Sequence, residues 1–138
     1  MTQNIAPIFP KTPSIQWFAT VLTAANAAYD GTGTVALVFT ADAVNGSRVD
    51  YLKIRAIGTN IPTVVRVFIN NGGTNATAAN NVLFMERTIP LTTISAVSET
   101  ADVYIPLDLS LPPGYVINVT LGTAVAAGFR ISAVGGHY

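Results

Sequence analysis

Apolar and polar residues alternate along most of this chain, in eight short stretches that start from Ser14 onward. In the clearest of them, Leu52 and Ile54 fall on one side of an extended backbone, and Lys53 and Arg55 fall on the other. A period of two with one apolar side is typical of an antiparallel sheet that is half covered by a second sheet. The predicted strands span about residues 15–22, 34–40, 47–57, 63–70, 82–89, 102–110, 115–121 and 128–134.

These stretches are rich in Val, Ile, Thr, Phe and Tyr, and Gly, Asn, Asp or Pro separate most of them. Eight such strands predict an all-β fold, an antiparallel two-sheet sandwich that is jelly-roll-like. The alternative is a helix over residues 19–29, where alanine is frequent. Val21, Thr23 and the Asp30-Gly31 turn favour extended structure instead. The long neutral connection over residues 70–81 is expected at one end of the sandwich.

Residues 1–14 are predicted to be an extended arm that precedes a sandwich domain over residues 15–138. Pro7, Pro10 and Pro13 recur every three residues, and each biases its surroundings toward extended geometry. Three apolar side chains between the prolines are candidate anchors: Ile5, Ile8 and Phe9. The arm either lies across its own sandwich or reaches a neighbouring subunit.

Charged residues are scarce, at 10% of the chain against about 25% in a typical soluble domain. The surface must therefore be largely neutral, which favours a protein that packs against partners, although a neutral monomer is the alternative. Seven basic and seven acidic residues cancel, so no long-range field favours nucleic acid or an acidic membrane. The chain has no cysteine, no apparent signal peptide and no apolar run that would span a membrane.

Catalytic and metal-binding chemistry finds little support in the sequence. His137 is the one histidine and the second-last residue, and terminal residues are usually mobile. A Ser-His-Asp arrangement is therefore disfavoured, and one histidine cannot supply a cupin-like metal site. The seven carboxylates show no convincing pair for glycoside hydrolysis. We expect a protein that is not an enzyme and has no cofactor.

Basic and aromatic residues give the candidate interface. Lys53, Arg55 and Arg66 could form a small basic strip on one sheet face, which we interpret as a source of cross-subunit ion pairs rather than a nucleic-acid site. Trp17 and Phe18 are neighbours on a predicted strand, so one should point inward and the other outward. The candidate interface residues are Ile5, Ile8, Phe9, Trp17, Lys53, Arg55 and Arg66.

Four segments carry the most specific sequence features: DGTGT, NGSRVDYLKI, VFINNG and LPPGY. With the sequence around them, which covers most of the chain, they resemble a group of small virion proteins from tailed phages and prophages. The resemblance implies a jelly-roll capsid decoration, or cement, protein that stabilises a phage head as an oligomer, often a trimer. Its implied partners are further copies of itself and the major capsid protein, with no nucleic acid and no membrane. Its implied location is the capsid surface, after assembly in the host cytoplasm.

A carbohydrate- or receptor-binding module of a phage tail or fibre is the alternative function. Sugar sites need exposed aromatic platforms beside polar groups, and four residues are plausible sources: Trp17, Tyr29, Tyr51 and Tyr104.

Overall fold

The computed structural model describes residues 9–138, which form eight strands in two four-stranded antiparallel sheets packed as a sandwich. The predicted all-β sandwich is therefore confirmed. The strands are β1 (Thr12–Trp17), β2 (Ala36–Thr40), β3 (Ser47–Ala56), β4 (Thr63–Asn70), β5 (Asn81–Ile89), β6 (Val103–Leu111), β7 (Val116–Leu121) and β8 (Phe129–His137), and one 3-10 turn over Ala78–Asn80 precedes β5.

Sheet A has the strand order β1-β8-β3-β6, and sheet B has the order β2-β7-β4-β5. Consecutive strands change sheet at every connection except the β4–β5 hairpin and, as a result, each sheet mixes early and late strands. This order is jelly-roll-like. β1 starts at Thr12, so residues 12–14 of the predicted arm belong to the sheet. Ile5 and Ile8 lie outside the described residues.

The core lies between the two sheets and is built from the alternating apolar side chains that the sequence pattern identifies. Leu52 and Ile54 of β3, Val65 and Val67 of β4, and Val119 of β7 have no exposed surface. Burying each such side chain stabilises the fold by about 1.5–3 kcal/mol. The sidedness of the strands therefore gives the sandwich its main driving force.

The long connection between β1 and β2 contains no helix, so the helical alternative for residues 19–29 is wrong. It pairs with the sheets only briefly, through Leu22 with Phe129 and Ala25 with Leu121. The ring of Tyr29 then lies against the outward side chain of Arg66 on β4, 4.1 Å from ring centre to guanidinium carbon. This connection therefore lies against the outer side of sheet B.

The β4–β5 connection is tied to the β1–β2 connection by asparagine side chains. Asn75 Nδ2 donates to the carbonyls of Gly31 and Gly33, at 3.3 and 2.8 Å. Asn81 Nδ2 donates to the carbonyl of Asp30 at 3.1 Å. The polar loops thus satisfy each other's backbone carbonyls. Residues that point outward from the central strands of sheet B are correspondingly buried: Arg66, Phe68, Asn118 and Thr120.

Candidate interaction surface

The outer side of sheet A carries apolar and aromatic side chains that are open to solvent. Ile15 and Trp17 of β1 are 61% and 60% exposed, and Tyr104 of β6 is 51% exposed. Backbone pairing runs from Ile15 to Val134, from Val134 to Tyr51, and from Tyr51 to Pro106. We name this set the sheet A face: Ile15, Trp17, Tyr51, Tyr104, Pro106 and Val134.

Two tyrosines form the centre of the sheet A face. Tyr51 on β3 and Tyr104 on β6 have ring centroids 4.8 Å apart, with the rings tilted by 41°. This distance is within the range of favourable aromatic pairs. Because each ring limits the movement of the other, the face presents a defined surface rather than two independent side chains.

Polar residues on the other side of β1 explain why its apolar side chains point outward. Ser14 and Gln16 are half-buried toward the sandwich, whereas Ile15 and Trp17 alternate with them. The Gln16 side chain crosses to β2 of sheet B, where Nε2 donates to the Thr40 carbonyl at 3.0 Å and Oε1 accepts from the Thr40 N–H at 2.9 Å. Gln16 therefore joins the two sheets at this edge and fixes which side of β1 is exposed.

Two cations next to the sheet A face are paired with a carboxylate of the same chain. Lys53 Nζ and Arg55 Nη1 bind the two carboxylate oxygens of Asp102, at 3.2 and 2.6 Å. Asp102 of the same chain thus occupies the place that we expected a neighbouring subunit's carboxylate to take. Each of these partly exposed pairs contributes at most about 1 kcal/mol to stability. Their larger effect is to leave few uncompensated charges beside the apolar residues.

Arg66 does not belong to this surface, and the expected strip with Lys53 and Arg55 is wrong. Arg66 lies on β4 in the other sheet and is only 7% exposed. Its Nε donates to Glu86 Oε1 at 2.8 Å and its Nη1 to the Asn26 carbonyl at 3.1 Å. Burial disfavours its charge, but the bonds to Glu86 and Tyr29 outweigh burial and raise its pKa. We interpret Arg66 as the residue that holds the β1–β2 connection on sheet B.

The aromatic residues near the N-terminus divide as the alternation predicts. Trp17 is exposed, whereas Phe18 is partly buried against the core. Phe9, the one predicted arm anchor among the described residues, is 74% exposed. Phe9 and Trp17 therefore both have apolar surface available to a partner.

His137 has a defined position, so the expectation of a mobile terminus is wrong for it. It is the last residue of β8 and pairs with Thr12 of β1 and Ser47 of β3. Its Nδ1 lies 2.5 Å from Ser47 Oγ, which also accepts the Asp42 N–H at 2.8 Å. Ser47 is fully buried, which keeps its hydroxyl from a substrate. We interpret this cluster as a structural tie between strand ends, and the absence of enzyme activity stays a prediction.

Two further observations limit what the described part of the chain can bind or cross. Within residues 9–138, no three His, Cys, Asp or Glu side chains come close enough together to hold a metal ion. The same residues contain no helix of the length and apolar character needed to cross a membrane.

No protein-family model, curated protein sequence or solved structure matches this chain. The resemblance to phage virion proteins therefore stays a prediction. The functional argument rests on the sheet A face and its surroundings.

Proposed function

We propose that this protein is a structural subunit that binds other protein surfaces through the sheet A face. The form of this role that we favour is a decoration, or cement, protein that binds a phage head as an oligomer. One observation carries the proposal: Ile15, Trp17 and Tyr104 expose much of their side chains on the same side of one sheet. Contiguous exposed apolar patches commonly mark interaction sites, whereas isolated exposed apolar residues are ordinary.

The electrostatics of the surface support a protein partner over nucleic acid. The cations beside the face, Lys53 and Arg55, already share the carboxylate of Asp102. Nucleic-acid binding depends on free cations that displace counterions from phosphates. Interface centres are instead depleted in charge and enriched in Trp and Tyr, as this face is.

Sedimentation velocity over a range of concentrations tests the proposal. We expect the full chain to form an oligomer, and Trp17→Glu and Tyr104→Glu to shift the population toward monomer, since each places a charge inside the contact. Val44→Glu is the matched control, because Val44 is 78% exposed in the β2–β3 connection, outside the face. An oligomer that all three variants leave unchanged would show that the face is not the self-association surface.

Binding to head shells tests the more specific role. Tailed-phage head shells assembled from a co-expressed major capsid protein should carry the wild-type protein through purification. Trp17→Glu should abolish this retention, and Val44→Glu should preserve it. If the shells retain neither the wild type nor Val44→Glu, the decoration role is contradicted. If Trp17→Glu also disrupts the oligomer in that case, the sheet A face mediates self-association without binding a shell.

Carbohydrate binding is the second candidate, and the paired rings of Tyr51 and Tyr104, on the same side of the sheet as exposed Trp17, favour it. Sugars stack on such aromatic surfaces. Tyr29 is exposed but lies against Arg66 of sheet B, so it does not extend this aromatic surface. A glycan array gives the test: specific hits that Trp17→Ala eliminates would favour this function, and an array without hits would argue against it.

A further inference from the structure

A pocket of about 210 Å³ lies on the opposite sheet, away from the sheet A face. Its apolar wall comes from Leu37 of β2 and Val116 of β7, together with Val35 just before β2. Its polar wall comes from Asn118 of β7 and from residues of the β4–β5 connection, among them Asn75. The pocket therefore combines an aliphatic side with an amide side, and none of its lining residues is ionisable.

A buried polar atom of Asn118 makes this pocket a stronger candidate ligand site than an ordinary surface depression. Its side chain is only 4% exposed, yet Oδ1 has no hydrogen-bond partner within the described chain. Leaving a buried polar group without a partner costs about 1–3 kcal/mol, so such a group in a native fold calls for an explanation. Because the terminal torsion of an asparagine is soft, its amide can turn and present Oδ1 or Nδ2 to a molecule in the pocket.

Two glycines of the β4–β5 connection form part of the pocket rim. Gly72 and Gly73 form part of the wall, and Gly72 has a φ of 95°, a conformation that favours glycine. The Gly72 N–H is held by Asn70 Oδ1 at 2.7 Å. This part of the rim therefore has a fixed shape.

We infer that this pocket binds one neutral sugar unit. A sugar ring presents hydroxyl groups that donate and accept, which suits the amide of Asn118, and a C–H face that suits Leu37 and Val116. Its lack of charge matches the lining, since no residue there would compensate an ionised group. The inference is independent of the proposed protein-binding role, because the pocket and the sheet A face lie on different sheets.

A neighbouring pocket of about 260 Å³ on the other side of the β4–β5 connection is a weaker candidate. It includes Tyr115, but its asparagine side chains already bond within the connection: Asn71 Nδ2 donates to Asn80 Oδ1 at 3.3 Å, and Asn80 Nδ2 to the Thr74 carbonyl at 2.9 Å. A sugar would have to replace these bonds. At Asn118, a sugar would instead supply a hydrogen-bond partner to Oδ1, which has none within the described residues.

Titration of the ¹⁵N-labelled full chain with glucose, galactose and N-acetylglucosamine tests the inference. We expect at least one sugar to shift the amide signals of Leu37, Gly72, Gly73 and Asn118, with a Kd of about 1 mM for so small a ligand. Leu37→Arg should weaken binding at least about tenfold by filling the pocket mouth, and it should not disturb folding because Leu37 is half exposed. Asn118→Leu should also remove binding. Because Asn118 is buried, the spectrum of this variant without sugar should first show that it is folded.

Val44→Glu is the matched control, because Val44 lies outside both the pocket and the sheet A face, and it should leave this binding unchanged. The inference is overturned if none of the three sugars shifts these signals at about 100 mM, a hundred times the expected Kd. It is also overturned if the shifts centre on Tyr115 or on Trp17 and Tyr104, or if Leu37→Arg binds as the wild type does. These outcomes are separate from the sedimentation results, so either proposal can fail alone.

Discussion

Replacing Gln16 by alanine should loosen β1 and disturb the sheet A face without altering the core. The Gln16 amide makes two hydrogen bonds to the backbone of Thr40, and these are the side-chain bonds that link β1 to sheet B. A hydrogen bond contributes about 1 kcal/mol net, so Gln16→Ala should lower the free energy of unfolding by about 2 kcal/mol. For a domain of this size the melting temperature should fall by about 6 °C.

Hydrogen exchange separates a local effect from a global one. Among the residues that the structure describes, β1 is an edge strand bonded to β8 and, through Gln16, to Thr40, so it should open independently of the rest of the sandwich. A loss of about 2 kcal/mol corresponds to roughly 30-fold faster exchange. We expect this acceleration at the β1 amides that bond to β8, which exchange through local opening; amides of β4 and β7 should accelerate only where they exchange through global unfolding.

Gln16→Glu is the informative companion, because it keeps an acceptor for the Thr40 N–H and loses the donor to the Thr40 carbonyl. Its stability should lie between those of the wild type and Gln16→Ala. The reasoning is refuted if Gln16→Ala melts within about 1 °C of the wild type and its β1 amides exchange at the wild-type rate, since the two Gln16 hydrogen bonds would then contribute nothing to stability.

Two further predictions concern stability. Asn60→Ala should lower the free energy of unfolding, measured by urea denaturation, by about 3 kcal/mol, because the buried Asn60 Oδ1 accepts the N–H groups of Ala127 and Gly128 at 2.9 and 2.8 Å and both would lose their acceptor. The exposed control Asn45→Ala should change it by no more than about 0.5 kcal/mol. A similar loss in both variants would contradict the argument. Bonds from the N–H groups of Asn45 and Val44 lower the pKa of Asp42 below its ordinary 3.8. Because the pKa of Asp42 is lower in the folded than in the unfolded protein, this stabilisation is present above pH 3.8 and is lost as the pH falls through the folded value. Asp42→Asn should therefore lose less stability than the wild type between pH 7 and pH 3, measured by urea denaturation. An equal loss in the two proteins would contradict this account.

The strands were predictable from the sequence because sidedness is a local property. β4 coincides with the predicted stretch 63–70, and most other strands differ by one or two residues at an end. The largest difference is at β1, which was predicted over residues 15–22 and spans Thr12–Trp17. The next is at β8, which continues to His137 beyond the predicted end at 134. Gly135 and Gly136 interrupt the apolar pattern there. In the sheet, a side chain at position 135 would collide with the carbonyl oxygen of Arg48, so glycine permits the pairing rather than ending it.

The orientation of β1 was harder to predict, because here the polar side chains face the sandwich and the apolar side chains face solvent. Its polar residues Ser14 and Gln16 point toward the sandwich, while Ile15 and Trp17 point outward. Alternation alone does not say which side is inward; that depends on a contact with Thr40, 24 positions away in the chain. The prediction that Trp17 and Phe18 point opposite ways is confirmed, but the exposure of Trp17 became evident only from the fold.

The position of Arg66 could not be derived from sequence spacing either. Lys53, Arg55 and Arg66 are close in the chain, but β3 and β4 belong to different sheets. Residues joined by a connection that crosses between sheets face opposite sides of the molecule. The signal that could have identified the role of Arg66 is its pairing with Glu86 across the β4–β5 hairpin, because a hairpin keeps its two strands in one sheet.

The contrast between the two outer surfaces is the strongest link from this fold to the proposed role. The central strands of sheet B are covered by the chain's own connections, and Arg66 is buried there against Tyr29, whereas Ile15, Trp17 and Tyr104 of sheet A stay open. Covering the exposed part of these three side chains would contribute only about 1–2 kcal/mol each, which is too little for one subunit to bind tightly after the cost of association. Linked subunits multiply weak contacts, because each contact after the first forms at high effective concentration. The modest size of the open surface therefore supports binding as an oligomer, and a tightly bound monomer would be incompatible with it.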